Sequence, residues 1–100
     1  MTKAKGDLIS LVVTAPLGLH ARPAIKLSRL AKSFSARLKV RAEGAGDWVD
    51  ARSVVRLMSL KIAEGGRLEL SASGDDSGEA IAQVSALIAR NFEDGAAGDG

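Results

Sequence analysis

The only histidine of the chain, His20, stands in the run Ala15-Pro16-Leu17-Gly18-Leu19-His20-Ala21-Arg22-Pro23, where an extended segment gives way to a helical pattern. A lone imidazole beside the free N–H groups of a helix start, with an arginine two residues on, is suited to an anion and above all to a phosphoryl group. A neutral ring nitrogen can attack phosphorus. The N–P bond so formed stays labile, because the ring is a competent leaving group once a second nucleophile arrives in line. The amides of Ala21 and Arg22 are candidates for holding the phosphoryl oxygens, where the helix dipole favours negative charge by roughly 0.3 to 1 kcal/mol. The Arg22 guanidinium adds a planar fork of donors.

Transfer from one protein to another also needs a surface that docks and releases. Leu19, Val54, Val55 and Met58 are candidates for an apolar patch beside His20, rimmed by Arg29, Lys32, Arg52 and Arg56 for acidic partners. Val54, Val55 and Met58 have a second reading: in a short amphipathic helix, two of any three apolar positions should face the core.

The elements that must position these residues follow from periodicity and breakers. Residues 8–14 read as a strand ended by Pro16 and Gly18. From Ala21 the spacing becomes helical, with Ala24, Leu27, Leu30 and Ala31 on one stripe; Pro23 is tolerated because the first turn has no internal partners for its N–H groups. Residues 36–41 alternate as a half-buried strand, and residues 48–51 return across a loose Gly44/Gly46 hairpin, with Trp48 on the outer face if Val49 and Ala51 point inward. Ser53 can cap a short surface helix reaching Leu60. Residues 67–72 alternate again. Asp75, Asp76 and Ser77 supply acceptors before a last helix whose stripe is Ala80, Ile81, Val84, Leu87 and Ile88.

This order, βαββαβα, predicts an α+β open-faced two-layer sandwich: a four-stranded antiparallel sheet with three helices on one face. The expected organisation is a flexible segment 1–7, one domain over 8–92, and a frayed tail 93–100 that lacks core-forming side chains.

Composition narrows the function classes. One hundred residues with 46% hydrophobic content suffice for a single modest core. Fourteen Lys and Arg against twelve Asp and Glu leave a formal charge of +2, a small excess that gives nucleic-acid binding little support. With no cysteine and one histidine, neither a disulfide framework nor an ordinary metal centre is expected. The glycines lack the spacing of a nucleotide-binding loop, so no cofactor is expected. No window approaches the roughly 20 apolar residues of a membrane span, and the basic start leads into no signal-peptide stretch. A cytoplasmic monomer without membrane insertion is the expectation.

Taken together, Gly18-Leu19-His20-Ala21-Arg22-Pro23-Ala24, Ala51-Arg52-Ser53 and Leu57-Met58-Ser59-Leu60 resemble the bacterial HPr phosphocarrier family of the sugar phosphotransferase system, over residues 8–92. The resemblance implies an HPr-like fold and a carrier, rather than a stand-alone enzyme, whose histidine takes a phosphoryl group from Enzyme I and hands it to an EIIA-type protein. It puts His20 on the phosphoryl-accepting position, Arg22 on the adjacent phosphoryl-binding arginine, and Ser53 on a serine that an HPr kinase/phosphorylase modifies in some lineages. Phosphate there adds roughly two negative charges beside the docking face, which would repel an acidic donor.

Some residues depart from the family pattern. Leu17 stands where many sugar-branch members carry Asn or Ser, and Arg56 and Lys61 replace glycines. The Gly44 to Asp50 hairpin is a residue or two longer, and residues 89–94 are similar to the end of nitrogen-branch relatives. Sugar and nitrogen branches therefore both stay open. So does a regulatory role in the nitrogen branch, in which phosphorylation state controls partner binding.

Overall fold

Alternating side chains on the strands and 3.6-residue stripes on the helices meet in one core, seen in a computed structural model that describes residues 6–44 and 46–93. The elements are β1 (Gly6–Val12), α1 (Ala21–Lys32), β2 (Arg37–Ala42), β3 (Val49–Asp50), α2 (Val54–Ser59), β4 (Arg67–Ser73) and α3 (Ser77–Ala89). The strands form one antiparallel sheet in the order β1-β4-β2-β3, with Leu11 opposite Leu68 and Val40 opposite Leu70. The expected βαββαβα sandwich is borne out.

One face of the sheet carries Leu38, Val40, Leu68, Leu70 and Ala72, all buried under the helices. The other is open, which leaves Leu8 61% exposed. On α1 the stripe closes as the spacing predicts: Ala24, Leu27 and Ala31 have no exposed surface. Burying a leucine such as Leu27 contributes about 1.5–3 kcal/mol. Ser28, on the same face, is buried as well and donates from Oγ to the Arg52 carbonyl at 2.7 Å, tying α1 to the start of α2. In the last turn of α1, Arg29 and Lys32 complement the negative end of the dipole.

Several boundaries differ from the sequence reading. Gly6 and Asp7 already pair with Ser73 and Ala72, so β1 starts two residues early, and Glu93 still bonds from its N–H to the Arg90 carbonyl at 3.0 Å. The remaining residues expected to be loose, 1–5 and 94–100, lie outside the described residues. The third strand shrinks to Val49–Asp50, flanked by Trp48, which is half-buried with the Arg41 guanidinium 4.7 Å above its ring. Asp76 stands at the N-cap of α3 but does not cap it with its side chain. Its carboxylate instead accepts from the amides of Ser35 and Ala36, at 3.0 and 2.7 Å, and so closes the α1–β2 turn from across the fold.

Candidate functional site

The segment before His20 is shaped by two successive left-handed residues, Leu17 at φ 69° and Gly18 at φ 72°. Gly18 is required on two counts. Its φ suits glycine, and a Cβ there would lie 2.2 Å from the Ile62 carbonyl oxygen. The next amide, Leu19 N–H, donates to that same oxygen at 2.9 Å. The loop is thereby pinned to the chain just after α2.

This double reversal corrects one docking assignment. Leu19 turns inward and is only 2% exposed, so it belongs to the core and not to a partner surface. Leu17 takes the outward place at 78% exposure. Simple alternation through the loop fails because two consecutive positive φ values rotate the chain between Pro16 and Leu19.

His20 is the N-cap of α1, in extended conformation. Its carbonyl accepts the first helical bond, from Ala24 N–H at 3.0 Å, while its own N–H donates to the Gly18 carbonyl at 3.0 Å. The half-exposed imidazole makes no hydrogen bond among the described residues. Of the next three positions, Pro23 has no N–H to offer. Ala21 and Arg22 thus present the two orphan amides of the first turn, next to the ring. Arg22 is exposed and forms no ion pair among the described residues.

These groups border a depression of about 430 Å³ whose far wall is the chain end after α3: Asn91, Phe92 and Glu93. Asn91 and Phe92 both have positive φ, at 57° and 62°. Phe92 folds back to bury its ring at 3% exposure, with its N–H on the Leu87 carbonyl at 2.8 Å. The Thr14 hydroxyl donates to Asn91 Oδ1, which joins this end to the loop that precedes His20. Sequence reasoning missed this wall. The available signal was an asparagine followed by an aromatic residue just beyond a helical stripe, a pattern that suits a left-handed cap with an apolar contact.

Around α2, Ser53 caps as expected, its Oγ accepting from Arg56 N–H at 3.2 Å. Only Leu57 of this helix is buried, and the three positions left with two readings divide: Val54 is half-buried and packs against the core, while Val55 is 77% exposed and Met58 41% exposed. A helix of 6 residues packed mainly on β3 and α1 has room to insert one large side chain. Arg29, Lys32 and Arg56 are exposed. Arg52 is engaged with Asp50, to whose carboxylate its Nε and Nη2 donate at 3.2 and 3.1 Å. That guanidinium holds the Asp50 carboxyl below the usual carboxylate range, with help from the Arg52 amide.

The family described as "PTS HPr component phosphorylation site" matches residues 9–90. The chain belongs to the HPr family of phosphocarriers. The phosphocarrier protein NPr of Escherichia coli strain K12 is 39% identical over 82% of this chain and 90% of its own length. The phosphocarrier protein HPr of Cupriavidus necator is also 39% identical, over 79% of this chain and 86% of its own. Among solved structures, an HPr of Thermoanaerobacter tengcongensis superposes with a TM-score of 0.81 at 34% identity, covering 89% of this chain and 98% of that one. Like its HPr relatives, the chain is a phosphoryl carrier. No helix among the described residues is long and apolar enough to cross a membrane.

Proposed function

We propose that His20 is the residue that carries the phosphoryl group in this HPr-family protein. The lone pair of an imidazole nitrogen attacks the phosphorus on phospho-Enzyme I, the donor's bond to phosphorus breaks, and the phosphoryl group passes to His20. An EIIA-type acceptor then repeats the displacement in the opposite sense. The amides of Ala21 and Arg22 hold the phosphoryl oxygens, and the Arg22 guanidinium follows the charge as it moves. The observation that carries this reading is an imidazole free of protein hydrogen bonds among the described residues, at a helix start whose orphan amides lie beside it. Exchange with such partners implies a cytoplasmic setting.

Val55, Met58 and Leu17 supply apolar docking surface, with Arg29, Lys32 and Arg56 as the basic rim and Val54 and Arg52 at its inner edge. Ser53 is the proposed regulatory position: a kinase of the HPr kinase/phosphorylase type would move a phosphoryl group from a nucleoside triphosphate to its Oγ, releasing the diphosphate and the hydroxyl proton.

The test is a reconstituted relay with phosphoenolpyruvate, Enzyme I and EIIA proteins of the sugar and nitrogen branches. Acid-labile phosphate should appear on the wild type, move onward, and be absent from His20→Ala. Labelling of His20→Ala at the wild-type rate would overturn the assignment. A stable complex with an EIIA protein, without onward transfer, would favour the regulatory binding role over the relay. The partner set that supports faster transfer identifies the branch.

A further inference from the structure

A second depression of about 430 Å³ opens where β2, β3 and the start of α2 meet. Its walls carry Arg37 and Lys39 from β2, Trp48 and Asp50 at the hairpin, and Ser53 and Arg56 from the start of α2. Arg37 and Lys39 stand two residues apart on the open face of the sheet, both exposed, and Arg56, also exposed, lines the same depression from another element. None of the three forms an ion pair among the described residues. Asp50 is the only acid in the wall. Its carboxylate is already bonded by Arg52, although Lys39 is its cross-strand neighbour. A chain whose formal charge is only +2 therefore gathers three cations without an ion pair among the described residues around one concavity, Lys39 acting on Asp50 only through the field, with one hydroxyl in the same wall.

We propose that this concavity is a seat for a phosphoryl dianion. Two guanidiniums and an ammonium lining one concavity suit a compact multivalent anion better than a single carboxylate, because each phosphoryl oxygen can accept its own charge-assisted bond. The volume accommodates a phosphoryl group with a small carrier, whether a free phosphorylated metabolite or the side chain of a modified Ser53. The second source rests on the regulatory reading of Ser53 given above, and it changes what that modification does. The added charge is met within the molecule by Arg37, Lys39 and Arg56, so an acidic donor loses Arg56 from the docking rim rather than meeting a bare negative patch.

The seat is tested with phosphoserine placed at position 53 during synthesis, so that no cellular kinase is needed. The second ionisation of that phosphate is followed by 31P NMR against pH. It should lie about half a unit or more below the value of about 6 for an unperturbed phosphoserine, and the shift should fall by at least half in Arg37→Ala/Lys39→Ala. Circular dichroism and Tm of the unphosphorylated double variant confirm that the chain remains folded. Both residues lie outside the His20 site.

In a second arm, inorganic phosphate is titrated into the unphosphorylated chain and Trp48 fluorescence is read. A saturable change lost in the double variant supports a seat open to free ligands. If Trp48 does not respond while the phosphoserine shift is present and depends on Arg37 and Lys39, the seat serves Ser53 alone. An ionisation that is the same in the folded double variant, together with no Trp48 response, would overturn the proposal. The regulatory reading fails separately: if Enzyme I phosphorylates the phosphoserine-bearing chain at the unmodified rate, Ser53 is not a control point, whatever the titration shows.

Discussion

Gly18 packs its bare Cα against the Ile62 carbonyl so closely that a methyl group would sit 2.2 Å from the oxygen. That oxygen also takes the Leu19 amide. The contact joins the loop that presents His20 to the chain leaving α2.

Gly18→Ala should therefore damage both stability and transfer. The added methyl meets backbone rather than a flexible side chain, and φ 72° is strained for any other residue. A loss of about 2 kcal/mol or more is expected, visible as a drop in Tm of roughly 8 °C or more for a domain of this size. A variant with wild-type Tm would show that the loop relaxes away from Ile62 at little cost.

Arg22→Ala should leave the fold alone and slow the chemistry. The side chain is exposed and makes no ion pair among the described residues, so Tm should stay within about 2 °C. A charge-assisted hydrogen bond contributes about 1.5–3 kcal/mol, which converts to transfer roughly 10- to 100-fold slower, with a shorter-lived phosphorylated form. Rapid-quench transfer assays and phosphate-release rates measure the two effects separately.

Val55 and Leu19 should respond in opposite ways to truncation or charge. Val55→Asp, at a site 77% exposed, is expected to raise the apparent KM for Enzyme I about tenfold with little change in Tm. Leu19→Ala, at 2% exposure, is expected to cost about 2–5 kcal/mol of stability through the cavity it leaves. Paired measurements of KM and urea midpoint distinguish partner surface from core at each position.

Asp76 ties acid stability to the α1–β2 turn. Bonds from the Ser35 amide, then from Ala36, hold its carboxyl below the ordinary aspartate value of 3.8. A carboxyl with a depressed folded-state value stabilises the fold above the unfolded-state value, and this contribution disappears as pH falls through the folded-state value. Asp76→Asn should lower Tm at pH 7, and the two Tm curves should converge as pH drops below about 4. Parallel curves down to pH 2 would mean that the charge on Asp76 contributes nothing.

Where local chemistry dictates the outcome, the sequence was sufficient. The helix at Ala21, the orphan amides beside His20, the Ser53 cap and the succession of helices and strands along the chain all follow from neighbours within a few positions, because capping and periodicity are short-range. The motifs around His20 and Ser53 carried the family for the same reason.

Tertiary structure decided what depends on distant chain. Leu19 went to the core and Leu17 to the surface because Ile62, 44 residues from Gly18, fixes a doubly left-handed loop. The Asp76 carboxylate left its own helix uncapped and took two amides at Ser35 and Ala36 instead. Asn91 and Phe92 became the far wall of the His20 depression, held there by the Thr14 hydroxyl on Asn91 and the Phe92 amide on Leu87. Pairings of this kind depend on where folding brings separate segments together, and side-chain order along the chain does not record that.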